Sequence, residues 1–417
     1  MEIDALLVRL TAPDDDSRQA AVDALAAAGE AAFDPLVRVI AQGGPAATWR
    51  AERAFHLLAD VPLTRYAAVA RHPSPAVRRC ALWKLAMSGD AAVPVAEGLV
   101  PLLFPDAEDT AEDTAADTRK LVRSTFEHIG PGLVPALRRA RRTAPGRHRR
   151  FLVETLVAVG GWDALDTADQ AVVRRLIAVK RLTEEPARTH VCGSWYAVRT
   201  TDQSAVLAAF GLSDPMPVTM RLGQSAWNRD THGSGEHRGC SRAYVSPAFS
   251  GWTLVFGRPL RHVEPSDRAV RELCARLSAE HGAAHWYGQS CGDDWNAWCL
   301  AEDGEAVRYY DLHQRDAWFG GPHPAEAGRY LPHEDSGLPE DWAEGIALTD
   351  TDALRARLTR LEQELGLPEP CHTAGIAGRT SVDPASFGPD TPFTGHGVLA
   401  LTSCGREHGG PPGVLEI

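Results

Sequence analysis

Apolar residues in the first half of the chain recur at helical intervals. Val22, Leu25 and Ala26 form one such set, and Leu121, Thr125 and Ile129 another. Four of these stretches end on glycine: AVDALAAAG at Gly29, AVRRCALWKLAMSG at Gly89, KLVRSTFEHIG at Gly130 and FLVETLVAVG at Gly160. Glycine there suits a left-handed helix end, where a side chain would be strained. A degenerate copy, WRAERAFHLLAD, ends on Asp60. A unit of roughly 30 residues accounts for the spacing of these ends. One copy is longer because it carries the acidic insertion Asp106 to Asp117. Each unit opens on another helical stretch, such as AAFDPLVRVIAQ or GLVPALRRA, and Pro75 suits the first turn of a helix.

After Pro186 the pattern changes. WYAVRT, PVTMRLG, SRAYVSPAF and GWTLVFG read as strands, with a helix over Asp202 to Leu212 between the first two. Ser266 caps an amphipathic helix reaching Gly282. AHWYGQ, NAWCLAED and EAVRYYDLH follow as strands, the last two joined by the turn Asp303-Gly304. Residues 320–348 read as loop and Asp350 to Leu365 as a charged helix. The Gly/Pro-rich tail from about 368 reads as irregular. The pattern therefore predicts two domains: an all-α solenoid over 1–185, and an α+β domain with a mostly antiparallel sheet over 190–417.

The repeat resembles HEAT repeats over roughly residues 15–180. Pro75-Ala-Val-Arg-Arg with Ala81, Leu82 and Gly89 carries the resemblance, as do Leu133 and Leu137 after Gly130. It implies an armadillo-like α-solenoid that binds a macromolecule, such as a scaffold, adaptor or inhibitor.

Nearly all of the net charge of −12 lies beyond residue 185. That half is thus a poor match for a polyanion and a good one for a basic protein. Lysine occurs only at 84, 120 and 180, so arginine is the default cation, as in a high-GC bacterial genome. The acidic start MEIDALLVRL is not a signal peptide, and no apolar run is long enough for a membrane span. These features predict a cytoplasmic protein with reduced cysteines.

Arg138, Arg139, Arg141 and Arg142 close one helix, and Arg147, Arg149 and Arg150 open the next. This cluster is the candidate surface for a partner, including nucleic acid, unless the acidic insertion neutralises it. In the second half, His285, Trp286, Cys291, Asp293, Asp294 and Trp295 form the densest polar–aromatic segment and the candidate ligand pocket. Cys291 with His285 is a candidate nucleophile and base, without an identifiable third group to orient them. His232, His237 and Cys240 lie in a glycine-rich loop. Cys371, His372, Cys404 and His408 supply four soft ligands for a structural zinc in the tail.

No Walker loop, G-x-S-x-G elbow or H-E-x-x-H helix occurs, and the second half has no lysine for Schiff-base chemistry. With the repeat, these absences predict a non-catalytic interaction protein that needs no cofactor. It would bind a protein partner through the solenoid and a second partner or ligand through the acidic domain. The alternatives are an enzyme or small-molecule or metal-binding protein with its site in the α+β domain, and nucleic-acid binding through Arg138 to Arg150.

Overall fold

A computed structural model describes residues 2–104, 112–233, 237–259, 267–334, 337–347, 349–410, 413 and 415. Two compact units divide the chain between Ala171 and Val172. The sequence placed this boundary near 185, past the end of a helix that in fact carries the division. No helix among the described residues is long and apolar enough to cross a membrane.

The first unit is helical. Its elements are α1 (Ile3–Arg9), α2 (Asp15–Ala27), α3 (Glu30–Gln42), α4 (Pro45–Leu57), α5 (Leu63–Val69), α6 (Pro75–Met87), α7 (Val93–Ala96), α8 (Glu112–Ile129), α9 (Val134–Thr143) and α10 (Gly146–Gly160). The helix α11 (Thr167–Lys180) carries the division between the units. The helices stack in two layers. In one, α2 packs on α4 and α6 on α8, which in turn meets α10. In the other, α1 meets α3 and α5 meets α7. Phe33, Phe55 and Tyr66 fill the space between layers, with ring centroids 5.1 to 5.2 Å apart. All three are fully buried.

Three helices, α2, α4 and α6, start thirty residues apart, at residues 15, 45 and 75. Gly29 (φ 55°), Gly89 (φ 52°) and Gly130 (φ 97°) take the left-handed conformation, and Asp60 does so too at φ 54°. The turns stack closely: the Ala59 amide donates to the Ala26 carbonyl at 2.9 Å. At the last copy the left-handed residue is Gly161 rather than Gly160. Gly160 is instead needed for close packing, because a Cβ there would sit 2.6 Å from Val134 Cγ2. Of the acidic insertion, 106–111 lie outside the described residues and 112–117 form the first turns of α8.

The second unit is α+β. Its elements are β1 (Gly193–Val198), α12 (Gln203–Ala209), β2 (Ser213–Val218), α13 (Met220–His232), β3 (Arg242–Phe249), β4 (Trp252–Phe256), α14 (Asp267–His281), β5 (Ala283–Gln289), β6 (Asn296–Glu302), β7 (Glu305–Asp311), α15 (Thr351–Leu365), α16 (Thr373–Thr380), β8 (Phe393–Thr394), β9 (Gly397–Leu401) and α17 (Ser403–His408). The strands form one antiparallel sheet in the order β2-β9-β3-β4-β1-β5-β6-β7, and β8 pairs with β3. Side chains alternate between the faces. Tyr196, Trp286, Cys299 and Tyr309 belong to the core on which α14 packs. On the other face Trp227 of α13 packs on Phe256, with centroids 5.0 Å apart, and α16 covers β5 and β6.

Two expectations are corrected here. PVTMRLG is not one strand: β2 ends at Val218, and the Thr219 hydroxyl accepts from the Leu222 amide at 3.1 Å, which starts α13. The tail is not irregular, because β9 pairs with both β2 and β3 inside the sheet. Its Gly397 admits the Tyr244 ring, which an added Cβ would meet at 2.8 Å.

Candidate active site

Cys192 lies one residue before β1, where Gly193 pairs with Gln289 at the end of the β1–β5 ladder. The last turn of α13 approaches this strand end closely. A Cβ on Gly193 would sit 3.3 Å from both Trp227 and Thr231, so the glycine brings the helix end against the backbone. That approach places His232 beside Cys192, close enough for the two side chains to shift one another's titration, and both face the same cleft. The other ring nitrogen, Nδ1, is 2.9 Å from the Asn228 carbonyl oxygen. A carbonyl only accepts, so Nδ1 carries a hydrogen and Nε2 is left for the thiol.

The pair is electrostatically primed. Burial pushes the Cys192 thiol up, but the Cys291 backbone amide, His232 and the Cys291 side chain together outweigh it, and the net shift is downward. His232 moves the opposite way, raised chiefly by its hydrogen bond to Cys192. Such opposed shifts favour thiolate beside imidazolium, the reactive form of a cysteine.

The pair opens on a cleft of about 440 Å³, a size suited to a small molecule, whose walls include Trp286, Asp293, Trp295 and His313. Trp295 lies over Gly288, where a Cβ would come within 2.3 Å of its ring. Its indole Nε1–H donates to Asp311 Oδ1 at 3.0 Å. Asp311 also accepts from the amides of His313 and Gln314, at 2.9 and 3.2 Å, so this carboxylate braces the wall. Asp293 is exposed on the rim, and its hydrogen bond from Ser290 holds its carboxyl below the usual range.

Three of the six pocket residues expected from the sequence, Trp286, Asp293 and Trp295, line this cleft. His285 does not. It points to the opposite face of β5, stacks on Trp252 at 5.2 Å and accepts from the Ala301 amide at 3.3 Å. Burial pushes its pKa down to about 4. The expected Cys291–His285 pair is therefore corrected: Cys291 is exposed, and its Sγ lies 3.4 Å from His190 Nε2. Asp294 serves the turn, with φ 55° and its carbonyl accepting from Asn296 Nδ2. His232 was singled out from the sequence, but its pairing with Cys192 was missed because forty positions separate the two residues. Its signal was a cysteine at a strand start and a histidine on the last turn of a helix.

The four-ligand tail site is also corrected. Cys371 is buried, with its amide on the Tyr330 carbonyl, and His372 precedes α16 on β5 and β6. Cys404 and His408 lie on α17, which follows β9. Among the described residues, the ligand atoms of Cys404 and His408 cluster with His237, not with Cys371 or His372.

The arginine cluster is largely engaged within the first unit. Arg138 donates to the Ala164 and Asp163 carbonyls, both at 2.8 Å. Arg139 pairs with Glu97, Arg141 with Asp169 and Arg150 with Glu154. Arg147 contacts His148, and Arg149 donates to the Ala144 carbonyl. Arg142 stands in the last turn of α9.

No protein family model matches the chain, and no curated protein matches it. A crystal structure of an engineered protein aligns with 44% of this chain and 91% of its own at 18% identity. Its TM-score of 0.23 carries no argument about fold or function.

Proposed function

We propose that the α+β unit is a thiol-dependent enzyme acting on a small polar acyl compound. The observation behind this reading is that Cys192 and His232 stand side by side on a cleft with tryptophan walls. In the first step His232 Nε2 holds the thiol proton, and Cys192 Sγ bonds to the acyl carbon. The leaving group departs with the proton from His232. Water, deprotonated by His232, then breaks the thioester, and the thiol is regenerated. Asp293 and the indole faces of Trp286 and Trp295 favour a substrate with a cationic or amide group.

The test uses the full chain and an activated acyl ester such as p-nitrophenyl acetate. Acylation of the Cys192 peptide, followed by turnover beyond one equivalent, supports the reading. Cys192→Ala should abolish both, and His232→Ala should slow acylation by about 100-fold or more. An adduct confined to Cys291, or none in the folded protein, defeats it.

The interaction reading retains one observation. Trp49, Leu57, Trp83 and Met87 on α4 and α6 are 59%, 54%, 46% and 63% exposed. A surface of this kind suits a protein partner. This reading expects one stoichiometric partner that Trp49→Ala with Trp83→Ala releases, and it fails if the double variant retains that partner. Nucleic-acid binding gains no comparable support, because six of the seven arginines that would carry it make the contacts described. Flat salt dependence of any binding would end it.

A further inference from the structure

The second unit holds another cluster of soft ligands, away from the cleft and unused by the proposed reaction. His237 and Cys240 precede β3, while Cys404 and His408 follow β9. The strands are antiparallel neighbours, with Arg242 opposite Leu401, so the start of β3 lies beside the end of β9. Two ligand pairs that are far apart in sequence thus meet at one end of a single ladder.

The meeting is tightly fixed. The Thr402 amide donates to the Ser241 carbonyl at 3.0 Å, and the Thr402 hydroxyl donates to the Cys240 carbonyl. A Cβ on Gly405 would fall 1.9 Å from Ser241 O, so glycine is required for α17 to come this close. The ligand atoms of His237, Cys404 and His408 lie within 4.8 Å of one another. Cys404 Sγ is 3.5 Å from His237 Nδ1 and 3.0 Å from Cys240 Sγ. The His237 and His408 rings are stacked face to face with centroids 3.9 Å apart, so one ring has to rotate for both nitrogens to point at a shared ion. Both cysteines are buried.

We propose that His237, Cys240, Cys404 and His408 form a structural zinc site that clamps α17 to the start of β3. Two thiolates and two imidazoles are a zinc donor set, and four protein ligands close the coordination sphere, leaving no position for substrate. A tetrahedral ion with ordinary Zn–S and Zn–N bonds sets an S···N edge of about 3.6 Å, close to the distance found. It sets an S···S edge of about 3.8 Å, so Cys240, which touches Cys404 but stands outside the group formed by the other three, shifts on binding to become the fourth ligand. The spacing H-x2-C…C-x3-H joins halves that the sequence alone had placed in separate sites.

The test is metal analysis of the full chain purified without chelator from zinc-supplemented culture. The expected result is about one zinc per chain. Cobalt in its place should give the intense thiolate-to-metal absorption and tetrahedral d–d bands of an S2N2 site. Cys404→Ser and the exposed-site variant His408→Asn should lower zinc affinity by ten-fold or more, with His408→Asn still folded by circular dichroism. Cys192→Ser and Cys371→Ser should keep the metal. Three results overturn the proposal: a folded chain that neither contains nor takes up zinc, zinc that follows Cys192 instead, or a Cys240–Cys404 disulfide in the freshly isolated protein.

Discussion

His232 donates its Nδ1 hydrogen to the Asn228 carbonyl at 2.9 Å, and this fixes Nε2 as the nitrogen that faces Cys192. In the proposed reaction the helix's own backbone takes the part of the third residue that orients the histidine. A lowered thiol and a raised imidazole narrow the gap between the two groups, so thiolate persists to lower pH than in an isolated cysteine. The rate of iodoacetamide alkylation at Cys192, read by peptide mass spectrometry, should hold up below the usual thiol range. In His232→Ala its rising limb should move to higher pH. An unmoved limb would mean that His232 does not support the thiolate.

Glu326 ties the far end of the sheet together. Its Oε1 accepts from Arg308 Nε and Trp298 Nε1, both at 2.8 Å, and its Oε2 accepts from the His323 amide at 3.1 Å. Both members of the ion pair are buried. Glu326→Ala strands the Arg308 charge and should cost about 3–5 kcal/mol, seen as a lower urea midpoint. Replacing both partners, Arg308→Met with Glu326→Leu, should recover much of that loss. A single variant as stable as the parent would contradict the buried pairing.

His285 makes stability depend on pH. Its folded pKa of about 4 lies below the ordinary 6.5 because burial disfavours the charged ring. The unfolded chain therefore binds the extra proton first as the pH falls. The stability due to the neutral ring is complete above pH 6.5 and is lost between there and about pH 4, by at most about 3 kcal/mol. His285→Gln should flatten urea-derived stability between pH 7 and pH 5 relative to wild type. An equal slope in both proteins would assign the effect elsewhere.

Asp60 occupies a left-handed position that glycine fills in three sister turns. Asp60→Gly should raise the thermal midpoint of the helical unit, with a gain of about 0.5 kcal/mol. The same change at Asp16, on the first turn of α2, should lower it. A destabilised Asp60→Gly would mean that the aspartate side chain does more for the turn than the strain costs.

The helical repeat was legible because a local signal marks each copy. Even Asp60, with no glycine to announce it, was placed by spacing. Strands with strong alternation, such as β5 and β6, were legible for the same reason. The alternation also explains the main error at the site: His285 lies near Cys291 in sequence, but one step along β5 separates its face from that of Trp286. Cys192 and His232 meet only because a glycine lets α13 approach β1, a tertiary fact with no sequence period. Likewise β9 is five residues long and looks like part of a loose tail. Its partners, which decide its place, lie far back in the chain.

That last placement bears on how the protein is made. Thr402 bonds to Cys240 across 162 positions, and β9 pairs with both β2 and β3. On the ribosome, β2 and β3 emerge long before the strand that belongs between them. Until Leu401 has left the exit tunnel, the nascent chain carries a gap between the edge strand β2 and β3, with unpaired strand edges on both sides. Closure of this part of the sheet then waits until β9 has emerged, more than 140 residues after β3.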